Sequence, residues 1–162
     1  MSVVWDTTVA SRLYPGAVHE RHVLERAAGG DPIALAAPGV LEISYGLARA
    51  GDKHAAALRW FTRLVTSALV LVTLPLDATA AILAGRLRAV QPAPPTGAPR
   101  RGSKPEQRAG WVLDLQIAAC AWSHGYALAT DNRRDFEFIA HLIGELYSGA
   151  STLEVVGPPT FE

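Results

Sequence analysis

The sequence predicts an α/β fold: a three-layer α/β/α sandwich around a central, mainly parallel sheet of four or five strands. Two observations predict it. Short β-branched or apolar runs recur at Val3 to Trp5, Ile33 to Ala36, Leu69 to Leu74 and Tyr126 to Thr130. Stretches with apolar residues at helical spacing separate them, and strands alternating with helices imply parallel pairing covered on both faces. The 162 residues suit a single domain with one sizeable core.

Val3 to Trp5 reads as the first strand. Pro15-Gly16 breaks the chain, and Val18 to Ala28 reads as a helix. Gly29-Gly30-Asp31-Pro32 is a turn before the second strand, Ile33 to Ala36. Pro38 fits the first turn of a helix that ends near Gly51. Asp52 is placed to cap the next helix, with Leu58, Phe61 and Leu64 on one face. Leu69 to Leu74, closed by Pro75, is the third strand, and Asp77 caps a helix reaching about Val90.

The stretch 91–110, QPAPPTGAPRRGSKPEQRAG, holds five of the eleven prolines and no apolar period, so it reads as a loop. Helix resumes at about Trp111 and stops at His124-Gly125. Tyr126 to Thr130 is the fourth strand. A short helix follows Asp131, and Thr152 to Val156 reads as a final strand.

Composition narrows the function classes. Apolar residues make up 49% and charged residues 19%, which fits a globular chain and not a disordered one. Fifteen basic and fifteen acidic side chains cancel, so net charge gives no argument for a nucleic-acid partner. A single cysteine, Cys120, fits a reducing, cytoplasmic setting. No signal peptide and no membrane span are expected.

Ligand sites in such sheets lie beyond the carboxyl ends of the strands. Asp6 directly follows the first strand and so faces that crevice; capping of the next helix, helped by Thr7 or Thr8, is the competing reading. Glu42 interrupts the apolar pattern of VLEISYGL, and Asp114 interrupts WVLDLQIAACA. A lone buried carboxylate is costly, while an acid early in a helix can also serve the helix dipole or cap it. Asp131 and Asp135 follow the fourth strand, where turn and cap acids are common. Acids brought to one sheet edge repel unless a cation joins them. An all-oxygen set suits Mg²⁺ or Mn²⁺ and not zinc.

The segments VVWDTTV, PGVLEISYGL, DLQIAACAWSHGYALAT and TDNRRDF, in that order, resemble PIN-domain nucleases, and most closely the VapC-type toxins of toxin–antitoxin pairs. The resemblance implies a Mg²⁺-dependent ribonuclease in which Mn²⁺ can substitute. Asp6 and Asp114 fall at metal-ligand positions. Glu42 falls at the second acid, ligating through water or acting as general base. Thr8 matches a Ser, Thr or Asn position beside the first acid, and Thr130 and Asn132 match the motif after the last strand. At Asn132 the pattern departs from a fourth acid, leaving Asp131 or Asp135 to take that part. The loop is also longer than such toxins usually have.

Implied partners are an RNA substrate, a second copy of the chain, and a cognate antitoxin whose tail reaches the acidic crevice. Arg100, Arg101, Lys104, Arg108, Arg133 and Arg134 are candidates for phosphate contacts, with solvated surface charge as the expected alternative for the loop. Trp60, Phe61, Trp111 and Trp122 could stack bases but sit at core spacing. Leu47, Leu58 and Phe61 are candidates for the antitoxin groove, with core packing as the competing reading. Two rival readings stand beside the nuclease. One is a haloacid dehalogenase-type phosphatase with Asp6 as nucleophile, Lys104, and the pair Asp131 and Asp135, though Thr8 replaces its usual second Asp. The other is a non-catalytic PIN-like binding module.

Overall fold

In the computed structural model, which describes residues 1–97 and 99–161, five strands form one sheet. They are β1 (Val3–Trp5), β2 (Ile33–Ala36), β3 (Leu71–Leu74), β4 (Ala127–Ala129) and β5 (Val155–Val156), in the order β3-β2-β1-β4-β5. Every neighbouring pair is parallel, so the sheet reaches the upper strand number expected and has no antiparallel member. The helices are α1 (Thr7–Ala10), α2 (Val18–Ala28), α3 (Ala37–Arg49), α4 (Ala55–Thr66), α5 (Ala78–Val90), α6 (Lys104–Ser123) and α7 (Arg133–Leu146).

The period of two along each strand divides the core into two layers. Val4, Ala34, Ala36 and Leu128 face a layer built with Leu83, Leu87, Leu115, Ile117, Phe136 and Ile139 from α5, α6 and α7. Val3, Trp5, Ile33, Leu35 and Ala129 face the other, with Val9, Val23, Phe61 and Leu64 from α1, α2 and α4. Both faces are therefore apolar, which is why these strands read as continuous hydrophobic runs. Phe136 is 0% exposed, and truncating a side chain packed that way costs about 3–5 kcal/mol.

Several boundaries differ from the sequence expectation. The third strand starts at Leu71, and Leu69 stands outside it, 86% exposed. Asp52 does not cap α4: it lies in a 3-10 turn, Gly51–His54, and the cap residue His54 makes no side-chain bond. The helix after Asp131 is not short; α7 runs for 14 residues. Asp77 does cap α5, its Oδ1 accepting from the Ala80 N–H at 2.9 Å.

The largest difference is at α6. It begins at Lys104, not near Trp111, because Ser103 and Glu106 form a reciprocal cap. The Glu106 carboxylate accepts from the Ser103 N–H at 2.7 Å, and Ser103 Oγ accepts from the Glu106 N–H at 3.4 Å. The connection from α5 shortens accordingly to 91–103. Asp114 then lies mid-helix, where it cannot cap. Gly125, at φ 73°, follows the end of α6 in the left-handed region that suits glycine. Among the described residues no helix is long and apolar enough to cross a membrane.

Candidate functional site

The sheet order places β2 and β4 on opposite sides of β1. The chain runs outward from β1 through β2 to β3 and then returns to β4 on the other side, so the strand order reverses between β1 and β4 and a crevice opens at their carboxyl ends. Asp6 follows β1, and Thr130 follows β4. Thr130 Oγ1 donates to Asp6 Oδ2 at 2.7 Å. Asp6 Oδ1 accepts from Thr8 Oγ1 at 2.7 Å and from the Val9 N–H at 3.1 Å. Asp6 thus caps α1 and also stands in the crevice, so both sequence readings hold at once. It is 1% exposed, and burial raises its carboxyl above the usual range despite these donors.

Asp114 projects from the middle of α6. Burial pushes its carboxyl well above the usual range, and the charges of Asp6, Asp135 and Glu42 push it further, with Arg100 opposing them. No hydrogen bond among the described residues offsets this. The four acids therefore share one electrostatic neighbourhood, drawn from four separate segments of the chain. Glu42 is the exposed member. It stands on α3 and lines a cleft of about 410 Å³ with Thr7, Thr8, Leu13, Ile43 and Leu47.

The motif after β4 resolves into distinct parts. Asp135 is 3% exposed and accepts a two-pronged contact from Arg100, Nη1 to Oδ2 and Nη2 to Oδ1, each at 2.7 Å. Asn132 Nδ2 adds a donor to Oδ2 at 3.1 Å. Burial works against the Asp135 charge, but Arg100 and Asn132 together hold the carboxyl below the usual range. Asp131 is exposed and faces away to Arg12 at 2.5 Å. Of the two flanking acids, only Asp135 is in the crevice.

The basic residues divide in the same way. Arg101 is exposed, as expected of a surface charge. Arg133 pairs with Glu137 one turn along α7, at 2.7 Å, and Arg134 Nη2 donates to the Thr96 carbonyl at 3.4 Å. Arg100 contradicts the expectation of solvation: its side chain is 23% exposed and turned onto Asp135. Sequence reasoning missed this, because the pair spans 35 residues and no local pattern announces it.

The aromatic candidates pack inside, as their core spacing suggested, and the groove candidates divide. Phe61 and Trp111 are each 1% exposed and belong to the core. Trp122 packs on Tyr147, and its Nε1 donates to the Ser151 carbonyl. Trp60 donates to Glu20. Leu47 packs against the core beside Phe61. The exposed apolar side chains on α3 are instead Leu41 and Tyr45, at 67% and 60%.

The donor chemistry suits a hard divalent cation: four carboxylates, no Cys or His, and one guanidinium against four negative charges. Among the described residues no three such side chains are already closed into a group that could hold an ion. Asp6 is held by its hydroxyl donors, Asp135 by Arg100, and Glu42 stands exposed.

The PIN domain family model matches residues 3–142. The chain belongs to the PIN domain family. The match spans Asp6, Glu42, Asp114 and Asp135, and it replaces the phosphatase reading, which left Glu42 and Asp114 without a part; Lys104 is exposed at the start of α6. Three solved structures share this PIN fold. VapBC2 from Rickettsia felis, bound to promoter DNA, is 18% identical with a TM-score of 0.61, covering 97% of this chain and 98% of that one. DNA-bound VapBC from Salmonella typhimurium is 20% identical with a TM-score of 0.61, over 97% and 98%. VapBC-1 from nontypeable Haemophilus influenzae is 17% identical with a TM-score of 0.60, over 97% and 98%. A search of curated proteins returned no match.

Proposed function

We propose that this PIN domain is a Mg²⁺-dependent ribonuclease, the toxin of a toxin–antitoxin pair, held in check by a cognate antitoxin. The observation that carries the reading is the mutual influence of Asp6, Glu42, Asp114 and Asp135 at the switch point of the sheet. Four acids in one crevice are unfavourable in an empty protein, and become useful when a cation and a phosphate are brought there.

Asp6 and Asp114 would hold the ion, with Glu42 completing the set through water. Mg²⁺, or Mn²⁺ in its place, supplies Lewis acidity toward a phosphate oxygen and lowers the pKa of a water. The chain's own residues do the rest. Thr8 and Thr130 fix both oxygens of Asp6, so its carboxylate presents one orientation. Glu42, exposed and lining the cleft, would take the proton of an attacking water. Arg101, Arg133 and Arg134 are exposed and would meet RNA phosphates, Arg133 in exchange for Glu137 and Arg134 for the Thr96 carbonyl.

The solved neighbours are toxin–antitoxin complexes, which supports an antitoxin as partner here. Exposed Leu41 and Tyr45, one turn apart on α3 next to Glu42, offer it apolar anchors. Homodimerisation and cytoplasmic action belong to the same proposal.

Mapping of cleavage ends on total RNA tests the reading. Discrete ends should appear with Mg²⁺, and vanish with EDTA and in Glu42→Gln. Ends that persist in EDTA and in the variant would overturn it, and no ends under any condition would favour a non-catalytic module.

A further inference from the structure

Asp135 is already charge-paired: two of its three donors belong to a guanidinium, whereas the donors on Asp6 are neutral hydroxyls and a backbone N–H. Three donors occupy its two oxygens: Arg100 Nη1 and Nη2 at 2.7 Å each, and Asn132 Nδ2 at 3.1 Å. A two-pronged guanidinium–carboxylate contact is among the strongest hydrogen-bonded arrangements in proteins, and the guanidinium carries its charge at every working pH. The Asp135 side chain is 4% exposed, so breaking this contact would strand a buried charge.

The contact is also delivered by an anchored segment. Trp111 Nε1 donates to the Gln91 carbonyl at 2.8 Å, and Gln91 Nε2 donates to the Ala93 carbonyl at 2.7 Å. Arg134 Nη2 reaches the Thr96 carbonyl. Arg100 Nε is buried without a partner among the described residues, so the two bonds to Asp135 are what hold the side chain inside. The guanidinium charge is also felt at Asp114.

We propose that Arg100 is a built-in counter-ion that takes the place of a second divalent ion at Asp135, so the centre binds one ion, on Asp6, Asp114 and Glu42. This rests on the metal-dependent nuclease reading. It assigns the long connection before α6 a role: it carries a fixed positive charge to Asp135, a buried acid. Asp135 then holds Arg100 and does not ligate.

Mn²⁺ titration of the full chain, counting sites per chain by calorimetry and by electron paramagnetic resonance, tests the proposal. The wild type and Asp135→Asn should each bind one Mn²⁺. Arg100→Ala frees Asp135 and should bind two, and the double variant Arg100→Ala/Asp135→Asn should return to one. Should Arg100→Ala fail to fold, Arg100→Gln keeps a neutral donor to Asp135 and should likewise bind two. Two ions on the wild type, or one on a folded Arg100 variant, would overturn the inference while leaving the nuclease reading intact. No ion on the wild type would overturn both.

Discussion

Thr130 Oγ1 and Asp6 Oδ2 meet at 2.7 Å across 124 residues of sequence, joining the ends of two adjacent parallel strands. The same hydroxyl accepts from the Asn132 N–H at 2.8 Å. One oxygen therefore fixes the first acid and shapes the turn into α7.

Thr130→Val should cost about 1–3 kcal/mol, because it leaves a buried carboxylate oxygen without a donor and a backbone N–H without an acceptor. Thr130→Ser should recover most of the loss. Urea denaturation midpoints of the three proteins check this, and an unchanged midpoint in the valine variant would contradict it.

Asp114→Asn should stabilise the metal-free protein at neutral pH. Burial and the neighbouring acids raise the Asp114 carboxyl well above 3.8. The folded state then keeps a proton that the unfolded chain releases, so the wild type loses stability as pH rises through that window. The variant should therefore match the wild type near pH 3, pull ahead as pH rises, and stay ahead at pH 7. Each 1 kcal/mol gained raises Tm by roughly 2–4 °C in a chain of this size. Thermal melts in EDTA across that range measure it; a lower Tm for the variant at pH 7 would count against the crowded-acid description.

Arg100→Ala should cost on the order of 3 kcal/mol at pH 7, since it leaves Asp135 buried and ionised without its partner. Asp135 titrates below its usual range in the fold. The stability it gains from Arg100 is therefore present above about pH 4 and lost as pH falls through the lower folded value. The gap between wild type and variant should close in acid, and adding Asp135→Asn should narrow it at pH 7. Denaturant titrations at pH 7 and pH 3 give the comparison.

Ser103→Ala should cost about 1 kcal/mol by removing the cap of α6. It leaves the acid cluster untouched, so RNA cleavage at a temperature well below Tm should be unchanged. A large loss of activity in a folded protein would show that the start of α6 takes part in the site.

The sheet was legible because its strands are buried on both faces and read as bare apolar runs; β1, β2, α2 and the end of α5 match the sequence reading to the residue. Glu42 and Asp114 stood out because each interrupts an apolar pattern, and Asp6 because it directly follows the first strand. The α6 boundary was missed although Ser103-Lys104-Pro105-Glu106 carries a capping box with proline inside the first turn. The prolines upstream and the arginines around it masked that signal. Phe61 packs in the core, one of the two readings left open for it, because one face of an amphipathic helix looks the same whether it meets a core or a partner. The contact between Arg100 and Asp135 was not legible at all, since it depends on the path of a connection whose sequence has no period.

Mn²⁺ titration calorimetry on the wild type and Asp114→Asn, at matched pH, tests most directly whether Asp6, Glu42 and Asp114 form a metal centre. Saturable heat is expected for the wild type and none for the variant. Equal heats from both proteins would contradict it.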